Sequence, residues 1–175
     1  MRVVGGELRG RRLASPPRRS AGVRPTSDRA REALFSILGD VDDLDVLDLF
    51  CGTGALGIEA ISRGASTAVL VDSEPALARR NVTELGLGDR CEVVRSDAVR
   101  YLRDSEHRFE LAFCDPPYAL ARSIASDLER FVPPRLSAGG RLVVESAARA
   151  PVELALPLLA ERRFGEALLR IHGLE

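Results

Sequence analysis

A chain of 175 residues, 45% hydrophobic and 29% charged, has the length and composition of one soluble globular domain with a sizeable core, not of a disordered or fibrous protein. No apolar stretch approaches the roughly 18 residues of a membrane span, and the basic N-terminus carries no continuous apolar segment. A membrane or secreted protein is therefore not expected, and the location read from the sequence is cytoplasmic. Cys51, Cys91 and Cys114 are widely spaced and form no Cys-x-x-Cys pair, so reduced thiols in or near strands are expected and no metal site.

The net charge of −1 conceals an asymmetry. Residues 1–31 hold nine arginines against Glu7 and Asp28, whereas the remainder is acidic. A basic arm on an acidic body points to a polyanionic partner. Arg2-Val3-Val4 and Arg12-Leu13 are spaced to pair as a small hairpin around Gly5-Gly6 and Gly10. Residues 14–25, rich in Pro, Ser and Arg, read as a surface loop. Thr26 or Ser27 can cap a following helix, with Asp28 in its first turn. Ala30, Ala33, Leu34, Ile37 and Leu38 then give that helix one apolar face, ending near Gly39.

From there strand and helix patterns alternate. Strands are predicted at about 45–50, 67–72, 91–95, 109–114 and 140–145, and helices near 55–63, 75–86, 98–103 and 119–131. Such alternation predicts an α/β fold, a mostly parallel sheet with helices on both faces. Pro151 to Leu159 reads as a short helical stretch. Residues 161–166 and 167–172 read as two strands around Gly165, an antiparallel hairpin closing one edge.

The chemistry starts at residues 45–57. An apolar strand containing Asp48 runs into Cys51-Gly52-Thr53-Gly54 and then into a helix with apolar Leu56, Ile58, Ala60 and Ile61. This is the first βα unit of a doubly wound sheet, where a nucleoside cofactor binds. Gly52, Gly54 and Gly57 also satisfy G-x-G-x-x-G, and Asp72 follows Gly52 by 20 residues, so a dinucleotide fits this stretch as well. Asp48, Asp72, Asp97 and Asp115 all fall at or near predicted strand ends and should gather on one rim. Asp72 is placed to accept from two ribose hydroxyls, and Asp97-Ala98 to meet an adenine amino group. Any one of these acids could instead cap a helix; four in successive strand-end positions favour a ligand site.

Asp115-Pro116-Pro117-Tyr118 follows the strand Phe109–Cys114. The prolines remove two donors and fix φ, while their carbonyls remain acceptors. The Asp115 carboxylate and the Pro116 carbonyl can both accept from one exocyclic amino group, and Tyr118 offers a face for a stacked base. Such a site suits methyl transfer to an amino group conjugated with a ring, which gains from orientation and desolvation.

These motifs resemble those of class I S-adenosylmethionine-dependent amino-methyltransferases. The flanks narrow the resemblance: Arg2-Val3-Val4-Gly5-Gly6, Arg9-Gly10-Arg11-Arg12-Leu13, Val23-Arg24-Pro25-Thr26, Asp28-Arg29, Arg31-Glu32-Ala33-Leu34-Phe35 and Arg163-Phe164-Gly165-Glu166. Together they resemble the RsmD family, which methylates a guanine exocyclic N2 of bacterial 16S rRNA. Cys51 and Thr53 stand where a common family form has Ala and Ser, two small changes. The resemblance implies a class I methyltransferase Rossmann-like three-layer sandwich, with a seven-stranded, mostly parallel sheet containing one antiparallel strand, and a small N-terminal β-hairpin. It implies an RNA-contacting arm over residues 1–25, a methyltransferase domain over 26–175, and a substrate that is the assembling or assembled 30S subunit. A monomer is expected.

The candidate catalytic residues are Asp115, Pro116, Pro117 and Tyr118. The candidate cofactor residues are Asp48, Phe50, Gly52, Thr53, Gly54, Leu56, Asp72, Ser73, Asp97 and Ala98, and the candidate RNA contacts are Arg9, Arg11, Arg12, Arg24 and Arg29. The expected reaction is direct SN2 methyl transfer to guanine N2. An adenine-N6 enzyme is the nearest rival, because both amino groups fit the same acceptor pair, and a glutamine-amide enzyme is disfavoured by the arm. An NAD-dependent oxidoreductase would explain the glycines but not Asp-Pro-Pro-Tyr. A non-catalytic RNA-binding protein would explain the arm but not the acids.

Overall fold

The computed structural model describes residues 1–16, 28–117, 119–120 and 123–174. Its centre is one seven-stranded sheet. The strands are β1 (Asp45–Leu49), β2 (Thr67–Asp72), β3 (Cys91–Arg95), β4 (Phe109–Cys114), β5 (Leu136–Ala147), β6 (Leu158–Phe164) and β7 (Ala167–Gly173), in the spatial order β3-β2-β1-β4-β5-β7-β6. Helices α1 (Asp28–Leu38), α2 (Ala55–Ser62), α3 (Ala76–Leu85), α4 (Ala98–Asp104) and α5 (Ala125–Phe131) precede and link them. The first five strands pair in parallel. β7 pairs antiparallel with both β5 and β6, so one reversed strand is inserted before the edge. The expected α/β architecture with one antiparallel strand is therefore the observed one.

The sheet separates two apolar layers. Val46, Leu111, Phe113 and Val143 pack on one face with α1, α2 and α3, while Leu47, Ala112, Cys114 and Leu142 pack on the other with α4 and α5. Near-continuous burial of β1, β2 and β4 is the signature of strands covered on both faces. All three cysteines are free and buried, as expected.

Several local readings change. The stretch 151–157 is irregular rather than helical, and β6 starts at Leu158 instead of 161. Pro151 and Pro157 bracket only five other residues, too few to nucleate a helix, and Val152, Leu154 and Leu156, two residues apart, pack against the core at an extended spacing. α5 starts at Ala125, not 119. The buried positions of α1 are Ala30, Arg31, Leu34, Phe35 and Leu38, whereas Ala33 and Ile37 are only half-buried. The inward face is thus rotated to seat a cation. Thr26, Ser27 and most of the 14–25 loop lie outside the described residues.

That cation belongs to a buried clamp. Glu59, in α2, has its side chain 1% exposed. Its carboxylate accepts from the amides of Val4 at 2.8 Å and Gly5 at 2.7 Å, from Arg63 Nε at 2.8 Å and from Arg31 Nε at 3.4 Å. Arg31 also donates to Asp28 at 2.9 Å and to the Arg2 carbonyl. Residues 1–13 form the expected narrow hairpin, with Arg2 and Arg12 bridged and Val3 and Leu13 buried in the main core. Gly6 sits at φ +73 against the end of α2, where a Cβ would come within 1.6 Å of the Ser62 carbonyl. The hairpin is thus seated on α2, not free in solvent. Glu59→Ala should lower unfolding free energy by about 3–5 kcal/mol, because it removes one acidic partner of the buried Arg31 and the acceptor of two backbone donors. Urea denaturation checks the loss, and amide exchange at Val4 and Gly5 should accelerate with it.

Candidate active site

The carboxyl ends of β1, β2, β3 and β4 lie side by side, and each delivers residues singled out from the sequence. After β1, Phe50 takes φ 58, and Gly52 and Gly54 take φ 53 and 76. A bulky residue in the left-handed region is strained, and its neighbours must hold it there. The hold comes from Asp48 on one side and Asp72 on the other. Asp48 lies inside β1, only 2% exposed, and its carboxylate accepts from the Gly57 amide at 3.0 Å. It therefore braces the first turn of α2 from beneath instead of lying open on the rim. Burial, followed by the Asp72 charge, pushes its pKa up to about 7 against the lowering effect of that hydrogen bond. Gly57 permits this approach, since a Cβ would stand 2.2 Å from Leu70 Cδ2.

Asp72 closes β2. Its two carboxylate oxygens accept from the amides of Gly52 at 2.9 Å and Glu74 at 2.8 Å. Each oxygen keeps a second lone pair for a ligand hydroxyl. Gly52 is exposed, with no side chain to cover the loop in front of it. Thr53 and Leu56 are buried, and Ser73 is exposed. Asp97 caps α4, accepting from the Arg100 amide through Oδ1 at 2.9 Å, so the capping role is real; its other oxygen stays available on an exposed residue. Ala98 beside it is buried. The open glycine turn, the paired Asp72 oxygens and the Asp97 oxygen fit a nucleoside cofactor lying across β1, β2 and β3.

Asp115 follows β4 directly. In the sheet register Cys114 stands level with Leu49 and Val144, so Asp115 emerges beside Phe50 on one side and Glu145 on the other. Burial first, and then the charges of Glu145 and Asp48, hold its carboxyl well above the usual carboxylate range. Pro116 is buried and Pro117 exposed. The Pro117 carbonyl accepts from the Leu120 amide at 2.8 Å, which leaves the Pro116 carbonyl as the acceptor without an intramolecular donor among the described residues. Tyr118 and Arg24 lie outside the described residues. Arg9, Arg11, Arg12 and Arg29 are exposed. The described residues contain no group of acids, histidines and cysteines arranged to hold a metal.

Two supporting residues escaped sequence reasoning. Glu59 was visible only as an acid among Ile58, Ala60 and Ile61, a misfit that hydrophobic spacing does not explain. Asn81 in α3 is 1% exposed and joins three segments. It accepts from the Ala14 amide at 2.7 Å and donates to the Ala14 carbonyl at 3.1 Å and the Thr53 carbonyl at 2.9 Å. A lone Asn in an amphipathic helix gives no signal of that role. Through it the arm and the glycine loop are fixed to each other.

Comparison with known proteins agrees with this geometry. Residues 1–172 match the family described as Conserved hypothetical protein 95. Over 122 residues the chain is 41% identical to Ribosomal RNA small subunit methyltransferase D of Escherichia coli K12, covering 67% of this chain and 60% of that protein. Over 125 residues it is 38% identical to the putative rRNA methyltransferase YlbH of Bacillus subtilis, covering 67% of each. The matched segment thus spans about three fifths of the E. coli relative's length. Among solved structures, a putative methyltransferase, yhhF, from E. coli superposes with a TM-score of 0.83 at 34% identity, covering 100% of this chain and 98% of the other. An RNA methyltransferase from Salinibacter ruber in complex with S-adenosyl-L-homocysteine shares the fold, with a TM-score of 0.66 at 18% identity over 86% of this chain and 93% of the other. With residues 1–172 matched by the family model and relatives 38–41% identical over two thirds of its length, the chain belongs to the RsmD family of methyltransferases.

Proposed function

We propose that the protein transfers a methyl group from S-adenosylmethionine to the exocyclic N2 of a guanine in 16S rRNA of the small ribosomal subunit, acting as a cytoplasmic monomer. The observation that carries this reading is the adjacency of β1 and β4. It sets the glycine loop and the Asp115-Pro116 acceptor pair side by side on one rim. When bound, the cofactor supplies an electrophilic sulfonium methyl. Asp72 would hold its ribose hydroxyls, and Asp97 with Ala98 its adenine. Phe50, the turn Gly52–Gly54 and Leu56 at the start of α2 would face the remainder, with Ser73 beside Asp72 and Asp48 supporting the turn from below.

At the reacting centre, Asp115 and the Pro116 carbonyl would accept from the two hydrogens of the amino group and aim its lone pair at the methyl. A guanine amino group is a weak nucleophile, so orientation and exclusion of water carry much of the acceleration. The raised pKa of Asp115 gives its carboxylate a greater proton affinity, which suits it to receive the proton released on transfer. Pro117 would keep the segment rigid and Tyr118 would stack on a base turned out of its helix. The hairpin domain over residues 1–25 would supply phosphate contacts through Arg9, Arg11, Arg12 and Arg24, joined by Arg29 from the body, and the pocket would choose the base. The reading is tested by mapping tritium from labelled cofactor onto rRNA of small subunits from a strain lacking the enzyme. Label on guanine N2 supports it; label on adenine, or none, overturns it.

Three outcomes follow from the placement of these residues. Asp72→Ala removes charge-assisted hydrogen bonds worth about 1.5–3 kcal/mol, so S-adenosylmethionine affinity by calorimetry should fall tenfold or more. Replacing Arg9, Arg11 and Arg12 with Ala should weaken RNA binding and flatten its salt dependence while cofactor affinity holds. Identical salt slopes in mutant and parent would count the arm as merely solvated. Asp115→Ala should lose about a hundredfold or more of single-turnover rate. Asp115→Asn separates two roles, because its amide oxygen still accepts but takes no proton. Measurable activity in Asn alone marks orientation as dominant; equal inactivity marks proton acceptance.

A further inference from the structure

The segment Arg163-Phe164-Gly165-Glu166 has no part in the chemistry above, yet the topology carries it to the active rim. β6 runs antiparallel to β7, and β7 antiparallel to β5, so β6 ends at the same edge of the sheet as β4 and β5. Cys114 is level with Val144, while Ala147 pairs with Ala167, which pairs with Phe164. The β6–β7 turn therefore rises three residues above the end of β4, about 10 Å at the usual rise per residue. Laterally it stands on the side of β4 opposite to β1, across three strand spacings or about 14 Å. The glycine loop and the β6–β7 turn thus flank Asp115.

This raised edge is basic and firmly built. Arg149, Arg162 and Arg163 are all exposed. Arg162 lies between Ala160 and Phe164, which pack against the core shared with the N-terminal hairpin, so it emerges on that face. Arg163 Nε donates to the Gly165 carbonyl at 2.9 Å, which holds its guanidinium at the turn. The Ala148 amide donates to the Glu166 carbonyl at 2.8 Å, and Ala147 bridges Ala150, which sets Arg149 beside the same turn. The nearby acids are committed elsewhere: Glu153 and Glu161 both pair with Arg170, at 2.7 Å each. Among the described residues Glu166 is the acid within the turn itself. Among the described residues Arg149, Arg162 and Arg163 form no ion pair, and all three are exposed at the rim where the substrate would approach.

We propose that the β6–β7 tip and the adjoining turn after β5 form a second phosphate-binding surface, with Arg149, Arg162 and Arg163 gripping the RNA backbone on the side of Asp115 opposite to the cofactor. This rests on the rRNA reading above and adds to it a two-sided hold, arm on one side and strand edge on the other. Two separated backbone contacts fix the register of an RNA segment, which one contact cannot do.

The test is a variant with Arg149→Gln, Arg162→Gln and Arg163→Gln, compared with the parent on small subunits lacking the modification. The slope of log affinity against log salt should fall by about two to three, and KM for the subunit should rise tenfold or more, while cofactor affinity by calorimetry is unchanged. A parent that methylates small-subunit rRNA with a variant of equal KM and equal salt slope overturns the tip assignment alone. A parent that leaves that RNA unmodified overturns the rRNA reading and the tip with it. Equal RNA binding but loss of binding to anionic phospholipid vesicles would also overturn the proposal. If the triple variant melts early, Arg149→Gln and Arg162→Gln singly, which touch no hydrogen bond of the turn, should each lower the salt slope by about one.

Discussion

The structure depends on one buried carboxylate. Glu59 lies within α2, one turn beyond the glycine loop, and gathers the amides of Val4 and Gly5 and the guanidinium groups of Arg31 and Arg63. An ionised carboxylate so far from water is costly by itself, and its hydrogen bonds offset that cost only if all of them form together. The clamp is therefore selective. It admits the N-terminal hairpin in one position, and it fixes α1 and α2 relative to that hairpin. The helix that begins at the glycine loop is the one on which the basic hairpin is mounted.

A similar logic governs the rim. Asp48, Asp115 and Glu145 occupy neighbouring strands on the α1–α3 face of the sheet, close enough for their charges to raise the pKa of Asp115. Stability alone would not place acids there, because like charges in a poorly solvated region repel. Each acid has acquired a separate task. Asp48 braces the turn through Gly57, and Asp72 fixes the loop through Gly52 and Glu74. Asp115 is left with a carboxyl that binds protons more readily than usual. The bonds of Asp72 and Asn81 hold the loop, strained at Phe50, in one shape.

The reversed strand β7 has a mechanical consequence. The edge strand β6 runs in the same direction as β5 and is reached through residues 148–157, and the β6–β7 hairpin then returns β7 between them, so β5, β7 and β6 extend beyond β4 as a continuous ladder. That extension raises one side of the rim that carries Asp115. On the opposite side lies the glycine loop, held by Asp72 and Asn81. Asp115 and Pro116, at the end of β4, lie low between these two sides.

By itself the sequence determined the periodic features: the alternation of strands and helices, the glycine turn after β1, the acids at strand ends, the Asp-Pro-Pro-Tyr segment and the charge asymmetry of the arm. These are local patterns, set by side-chain period and turn chemistry within a few residues. Only the tertiary structure decided that Arg31 and Phe35 are fully buried in the core while Ala33 and Ile37 are half-buried, because an acid 28 residues away pairs with Arg31. It also decided that 151–157 has no helix, that Asp48 points inward to Gly57, and that Asn81 ties Ala14 to Thr53. Each of these is a pairing between groups distant in the chain. The free energy of burying a polar group depends on the partner it meets, and that partner is named by the fold and not by the neighbouring residues.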